Sequence, residues 1–179
     1  MSVWRRIAPV EMSGTVGLNS TLNVVGATTF QSTVAGQRIL VESVTANDSL
    51  TAAESGKTFV FADAAAVLTL PDSGAGDIIG VYYKFISNLT ATAQEVKCAD
   101  TTNEIIVGAL LNSDTDDDNS TKAWNAEVAD GFSSVEFTGV PEGAIGSHFT
   151  LMCYAADRWH IQGIVIQEAG SEATPFATA

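Results

Sequence analysis

HFTLMCYAADRWHIQGIVIQ, His148 to Gln167, holds two strand-like runs parted by the dipeptide Ala156-Asp157. Both runs are rich in β-branched and aromatic residues, which suit a pleated, half-buried surface, and Asp is a turn residue by its own side-chain hydrogen bonding. His160 lies between Trp159 and Ile161, the setting of an ordinary strand histidine. Working back along the chain, the same texture repeats in ILVESVT, KTFVFA, AVLTLP, DIIGVYYKFIS, QEVKCA, NEIIVGALL and SSVEFTG. Turn material separates these runs: Glu54-Ser55-Gly56, Pro71-Asp72-Ser73-Gly74, Asp130-Gly131 and Pro141-Glu142-Gly143. No helical period longer than two turns is present, and TAAESG reads as one short turn with Thr51 as its cap. Many short strands with no helices between them predict an all-β domain, an antiparallel β-sandwich or barrel, over residues 38–167. The last stretch, EAGSEATPFATA at 168–179, is small and polar apart from Phe176 and reads as an extended tail.

Composition agrees with a folded core. Of 179 residues, 46% are apolar, more than a disordered chain carries. The formal net charge is −13, from 21 acidic and 8 basic residues. That balance opposes nucleic-acid binding, since no continuous positive stripe can be drawn. No stretch approaches the roughly 20 apolar residues of a spanning helix, so no membrane partner is expected. The start, MSVWRRIAPVEM, has no apolar region after Arg5 and Arg6, so a secretory leader is not expected either. The Asn-x-Ser/Thr tripeptides at Asn19, Asn47, Asn88 and Asn119 are then read as polar turn chemistry. Cys98 and Cys153 sit in apolar runs and read as buried free thiols.

Ahead of the domain, residues 13–37 have a different pattern. Val16, Leu18, Leu22, Val24, Phe30 and Val34 all fall on even positions, with Thr15, Thr21, Thr29 and Thr33 on odd ones. Period 2 is the alternation of a strand. A narrow ribbon with two open edges is marginal in water by itself. Identical neighbours wound about a common axis close both edges and bury the even-numbered side chains. An oligomerising β ribbon, trimeric when assembled, is the expectation; two ordinary strands packed on the following domain is the competing one. Residues 1–12 read as an extended arm in which Trp4, Arg5, Arg6, Ile7 and Val10 supply an aromatic, two cations and two aliphatics for docking on another protein; a frayed terminus is the competing reading.

The search for chemistry yields little. Asp114, Asp116 and Asp118 share the first three spacings of a calcium loop, but Asn119 replaces its glycine and Asn125 its bidentate carboxylate. They are a weak metal candidate beside the plainer reading, a solvated acidic loop. His148, His160 and the two cysteines show no zinc spacing. No nucleophile elbow or phosphate loop is present, and no particular carboxylate pair is marked for glycan cleavage. No catalytic residues, no enzyme activity and no cofactor are expected.

Three segments carry a family resemblance. Leu22-Asn23-Val24-Val25-Gly26-Ala27-Thr28-Thr29-Phe30 resembles a repeat of phage tail fibres and head fibres. LTAAESGKTF at 50–59, followed by VLTLP at 67–71, resembles a signature of phage virion β domains, and Phe149 to Gly163 resembles their final hairpin. The resemblance implies a bacteriophage virion structural protein, of capsid decoration (cement) or head-fibre type. On that reading the chain is made in the host cytoplasm and carried on the outer surface of the capsid. Its partners are itself, as a homotrimer, and the major capsid protein, which the arm contacts. With one or two copies of the ribbon repeat the chain departs from long fibres. A receptor-binding tail fibre or spike is the alternative, with the acidic loop after Leu111 as its binding loop. A depolymerase, with Trp124 stacked on a sugar, is a third.

Overall fold

The computed structural model describes residues 39–114, 122–137, 144–167 and 173–179. The capsid-docking residues Trp4, Arg5, Arg6, Ile7 and Val10, the ribbon residues Val16, Leu18, Leu22, Val24, Phe30 and Val34, and Asp116 and Asp118 lie outside them. Arg38–Ala179 is one compact unit.

Its strands are β1 (Val41–Val44), β2 (Asp48–Ser49), β3 (Thr58–Phe61), β4 (Val67–Thr69), β5 (Tyr82–Ser87) and β6 (Gln94–Lys97) in the first half. The second half adds β7 (Ile105–Asp114), β8 (Ala123–Ala126), β9 (Ser134–Phe137), β10 (His148–Ala155), β11 (Arg158–Gln167) and β12 (Phe176–Ala177). They form a seven-stranded sheet, β1-β3-β5-β10-β11-β7-β8, and a five-stranded sheet, β12-β9-β6-β4-β2. The two pack as a sandwich over one buried cluster.

The all-β sandwich matches the reading of the sequence, but its sheets are mixed where antiparallel ones were expected. β1 pairs in parallel with β3 and β3 with β5, while β2 pairs in parallel with β4 and β4 with β6. From β1 to β6 the chain steps from one sheet to the other at every strand. Each strand of one sheet is therefore the crossover for a parallel pair in the other, a job usually done by a helix. The absence of helices thus excludes α/β folds without excluding parallel pairs. β7 also runs parallel to β11 over their full lengths.

Individual runs differ as well. DIIGVYYKFIS is a strand only from Tyr82, because Gly80, at φ +94°, closes a turn first. TAAESG is a single 3-10 turn at Ala52–Glu54, where the Thr51 amide and hydroxyl both donate to Glu54 Oε2 at 2.9 Å. Lys57 Nζ joins that turn to β1 through Glu54 and Glu42, at 2.8 and 2.7 Å. The expected tail at 168–179 ends inside the fold: β12 pairs with β9, and Phe176 is buried, stacked on Phe132 at 5.7 Å. One aromatic in a polar stretch is enough to tie the terminus down.

Aromatic side chains dominate the core. Phe59, Phe85 and Phe149 stack across β3, β5 and β10, and Phe137 of the opposite sheet meets Phe149 edge-on at 5.7 Å. Tyr83 stacks on Trp159 and donates its hydroxyl to the Thr51 carbonyl at 2.8 Å. Gly108, at φ +139°, sits where β7 meets β11 so closely that a Cβ would lie 2.1 Å from the Ile161 carbonyl oxygen. Only glycine satisfies both demands.

Glu104 is fully buried with no cation beside it among the described residues. Its Oε1 accepts from the Ser73 amide at 2.7 Å, from the Ser73 hydroxyl, and from Trp159 Nε1 at 3.4 Å. Its Oε2 accepts from the Asp100 amide at 2.8 Å. Four donors thus converge on one carboxylate and tie the 71–74 loop, the turn at Asp100 and β11 together. Glu104→Gln puts an amide donor where one of these donors points, leaving a buried group unpaired. The substitution is expected to lower unfolding free energy by about 2 kcal/mol, read from the midpoint of urea denaturation.

Candidate functional site

Those groups that sequence reading tested for chemistry and that lie among the described residues make the following contacts. Cys98 and Cys153 are buried free thiols, as expected. Burial first, and the Glu104 carboxylate second, push both thiols upward, so neither is poised as a nucleophile. His148 Nδ1 lies 2.9 Å from the Gly146 carbonyl, and His160 meets the Tyr154 ring edge-on. Asn47, one of the Asn-x-Ser sites, accepts the Val67 amide at 2.8 Å. Trp124 packs half-buried against the core with the Lys122 ammonium over its ring. Asp114 ends β7, paired in register with Gln167. Among the described residues no group of three or more His, Cys, Asp or Glu is placed to hold a metal ion. Among them, too, no helix is long and apolar enough to cross a membrane.

What the fold does build is two unlike surfaces. Alternation along the seven-stranded sheet turns one set of side chains into the core and the other outward. Register aligns the outward set in rows across the strands. One row runs Val60, Ile86, His148, Ile164, Leu111, Ala123. Four residues along lies a second, Tyr82, Met152, His160, Val107. Between them is a row containing Lys84, Thr150 and Gln162, with a shallow hollow of about 380 Å³ at its centre. Leu111 is 53% exposed, its register partner Ile164 is exposed beside it, and Met152 and Tyr154 are exposed elsewhere on β10. None of the outward positions described in these strands is Asp or Glu, although the chain carries 21 acids. Lys84, Arg158 and both histidines of the chain are there instead.

The five-stranded sheet presents the opposite character. Glu95 of β6 stands directly across from Glu136 of β9, beside a hollow of about 290 Å³. Partial burial, and secondarily the Glu136 charge, raise the Glu95 carboxyl above its ordinary value, while Lys97 and the Ser134 hydroxyl oppose that rise. Like charges directly opposite in a sheet destabilise it.

No family model, curated protein or solved structure matches this chain.

Sequence reading did not anticipate the acid-free face. Its residues come from strands far apart in the chain, and only register brings them into rows. The signal that was present is the lack of acids in the outward positions of HFTLMCYA and RWHIQGIVIQ.

The Glu95–Glu136 opposition has a pH signature. A carboxyl raised in the folded state binds its proton more tightly there than in the unfolded chain. Its cost is therefore complete above the folded value and fades as pH falls towards the unfolded one. Glu95→Gln is expected to stabilise the protein at pH 7 by about 0.5 kcal/mol, solvent screening keeping the gain small. Melting curves of the two proteins should converge as the pH is lowered to about 4.

Proposed function

We propose that this chain is a bacteriophage virion structural protein of the capsid decoration (cement) type. The arm at 1–12 docks on the major capsid protein through Trp4, Arg5, Arg6, Ile7 and Val10. The ribbon at 13–37 holds three copies together through its even-numbered apolar residues. The sandwich is carried outward as a soluble, acidic body on the outer surface of the shell. The work is physical: a contact available only in the assembled shell stabilises that shell by mass action. Fully extended, Thr15 to Val34 reaches about 65 Å, enough to bridge neighbouring subunits.

The observation that carries this reading is the ribbon's alternation: Val16, Leu18, Leu22, Val24, Phe30 and Val34 all fall on even positions, a face that sister chains would bury. The likeness of LTAAESGKTF, VLTLP and the 149–163 hairpin to phage virion β domains supports the same class. In the structure these residues have fold-building roles: Thr51, Glu54 and Lys57 lock a turn, Leu68 and Leu70 fill the core, and Trp159 caps Glu104. They speak for the body of the protein, and the ribbon and arm speak for its use.

Light scattering on the purified chain is expected to give three times the 18.7 kDa chain mass. Leu22→Asp with Val24→Asp should reduce this to a single copy while the β spectrum is retained; a persistent trimer would overturn the ribbon's role. Removing residues 1–12 should leave the trimer intact but unable to bind empty shells. Electron microscopy of whole virions should then find the protein spread over the head. Confinement to the tail would assign it to a receptor-binding fibre or spike.

A further inference from the structure

We infer that the outer face of the seven-stranded sheet binds a short acidic oligosaccharide, one whose sugars carry carboxylates, along the row of Lys84, Thr150 and Gln162. The inference needs neither the ribbon nor the arm, since the sandwich alone supplies the face. The hollow of about 380 Å³ lies over these three side chains, and His148 and Ile164 also line it. Register places the three on successive strands, β5, β10 and β11, and continues the row through Ala109 of β7 to Asn125 of β8. At about 4.8 Å per strand, Lys84 to Asn125 spans about 19 Å. Lys84, Gln162 and Asn125 are exposed and Thr150 is half-buried. The rows on either side are mainly apolar, with Ile86 and Ile164 in one and Tyr82 and Met152 in the other.

The chemistry of this strip selects its ligand. Among the described residues no carboxylate lies within 4.0 Å of the Lys84 ammonium, which can therefore donate a charge-assisted hydrogen bond to a carboxylate of the ligand. The Thr150 hydroxyl and the Gln162 and Asn125 amides both donate and accept, as sugar hydroxyls do. Tyr82, Met152, Ile86 and Ile164 offer apolar surface to the C–H faces of a sugar ring. The chain's charge of −13 repels anions at long range. Salt at about 0.1 M screens that repulsion beyond about 10 Å, and at closer range the described outward positions of this sheet hold no carboxylate. A peptide fits less well. It would add as a strand to an open edge, whereas β5, β10 and β11 each have a neighbour on both sides and the row offers side chains only. A nucleic acid would need several cations where this row has one.

The experiment titrates the full-length chain with hexagalacturonate in a calorimeter, with neutral maltohexaose and hexaglutamate as the comparison probes. Hexagalacturonate is expected to bind with a Kd tighter than about 1 mM, and each comparison probe at least about tenfold more weakly. Lys84→Gln should weaken hexagalacturonate about tenfold while leaving the weak binding of maltohexaose unchanged. Gln162→Ala, on a different strand, should weaken both sugars. Lys97→Gln, on the outward side of the five-stranded sheet, should change neither. The substituted side chains are at the surface, and unchanged melting curves establish folding. Hexagalacturonate binding weaker than about 1 mM, equal affinity for maltohexaose, or a Lys84→Gln protein that binds like its parent would each overturn the inference. So would an equal loss on Lys97→Gln, which reduces the effect to overall charge. Tighter binding of hexaglutamate than of the acidic sugar would overturn it as well, and assign the face to an acidic peptide. These outcomes do not depend on whether the chain is a trimer, which light scattering decides separately.

Discussion

The structure depends on a single slab of side chains shared by two sheets. Neither sheet is sufficient alone: β2 and β12 are two residues long, and β4 is three. β4 and β12 hold their place because Leu68 and Phe176, with Phe137 of the same sheet, share one buried cluster with Phe59, Phe85 and Phe149 of the other, and β2 follows by pairing with β4. Burying one phenylalanine is worth about 2 kcal/mol, more than the ladder hydrogen bonds of a two-residue strand contribute net. The core therefore recruits the short strands, and the hydrogen bonding follows.

The winding of the first half is the same constraint expressed in the chain path. β1, β3, β4, β5 and β6 each place apolar side chains in the slab, and alternating between sheets does this with connections that need no helix. Parallel neighbours are the result. Glu104 belongs to the same logic from the polar side. Crossing connections bring backbone amides at Ser73 and Asp100 into the interior, where an unpaired donor costs about 1–3 kcal/mol. One carboxylate satisfies them and the Trp159 indole together.

The outward surfaces are a by-product of register. Because register fixes which residues share a row, a face can be cleared of acids without changing the core behind it. The cost of charge is instead visible on the five-stranded sheet, where Glu95 and Glu136 oppose each other. At −13 overall, the protein has no carboxylate at the described outward positions of its seven-stranded sheet and carries its acids elsewhere.

The amino-acid sequence by itself determined the secondary-structure class, the turns and the buried thiols. The alternation in HFTLMCYA and RWHIQGIVIQ, the Asp157 turn between them and the Thr51–Glu54 cap are local, and local chemistry suffices to read them. The even-numbered apolar positions of residues 16–34 are likewise visible without tertiary information. Tertiary structure alone decided which strands are neighbours. Parallel pairing of β1, β3 and β5 leaves no trace in their composition, and AWNA at 123–126 and Phe176–Ala177 become strands only because a partner edge is there to receive them. The acid-free face and the four donors around Glu104 were invisible for the same reason. They are made by residues far apart in the chain, and distance along a sequence carries no information about register until a shared core has fixed it.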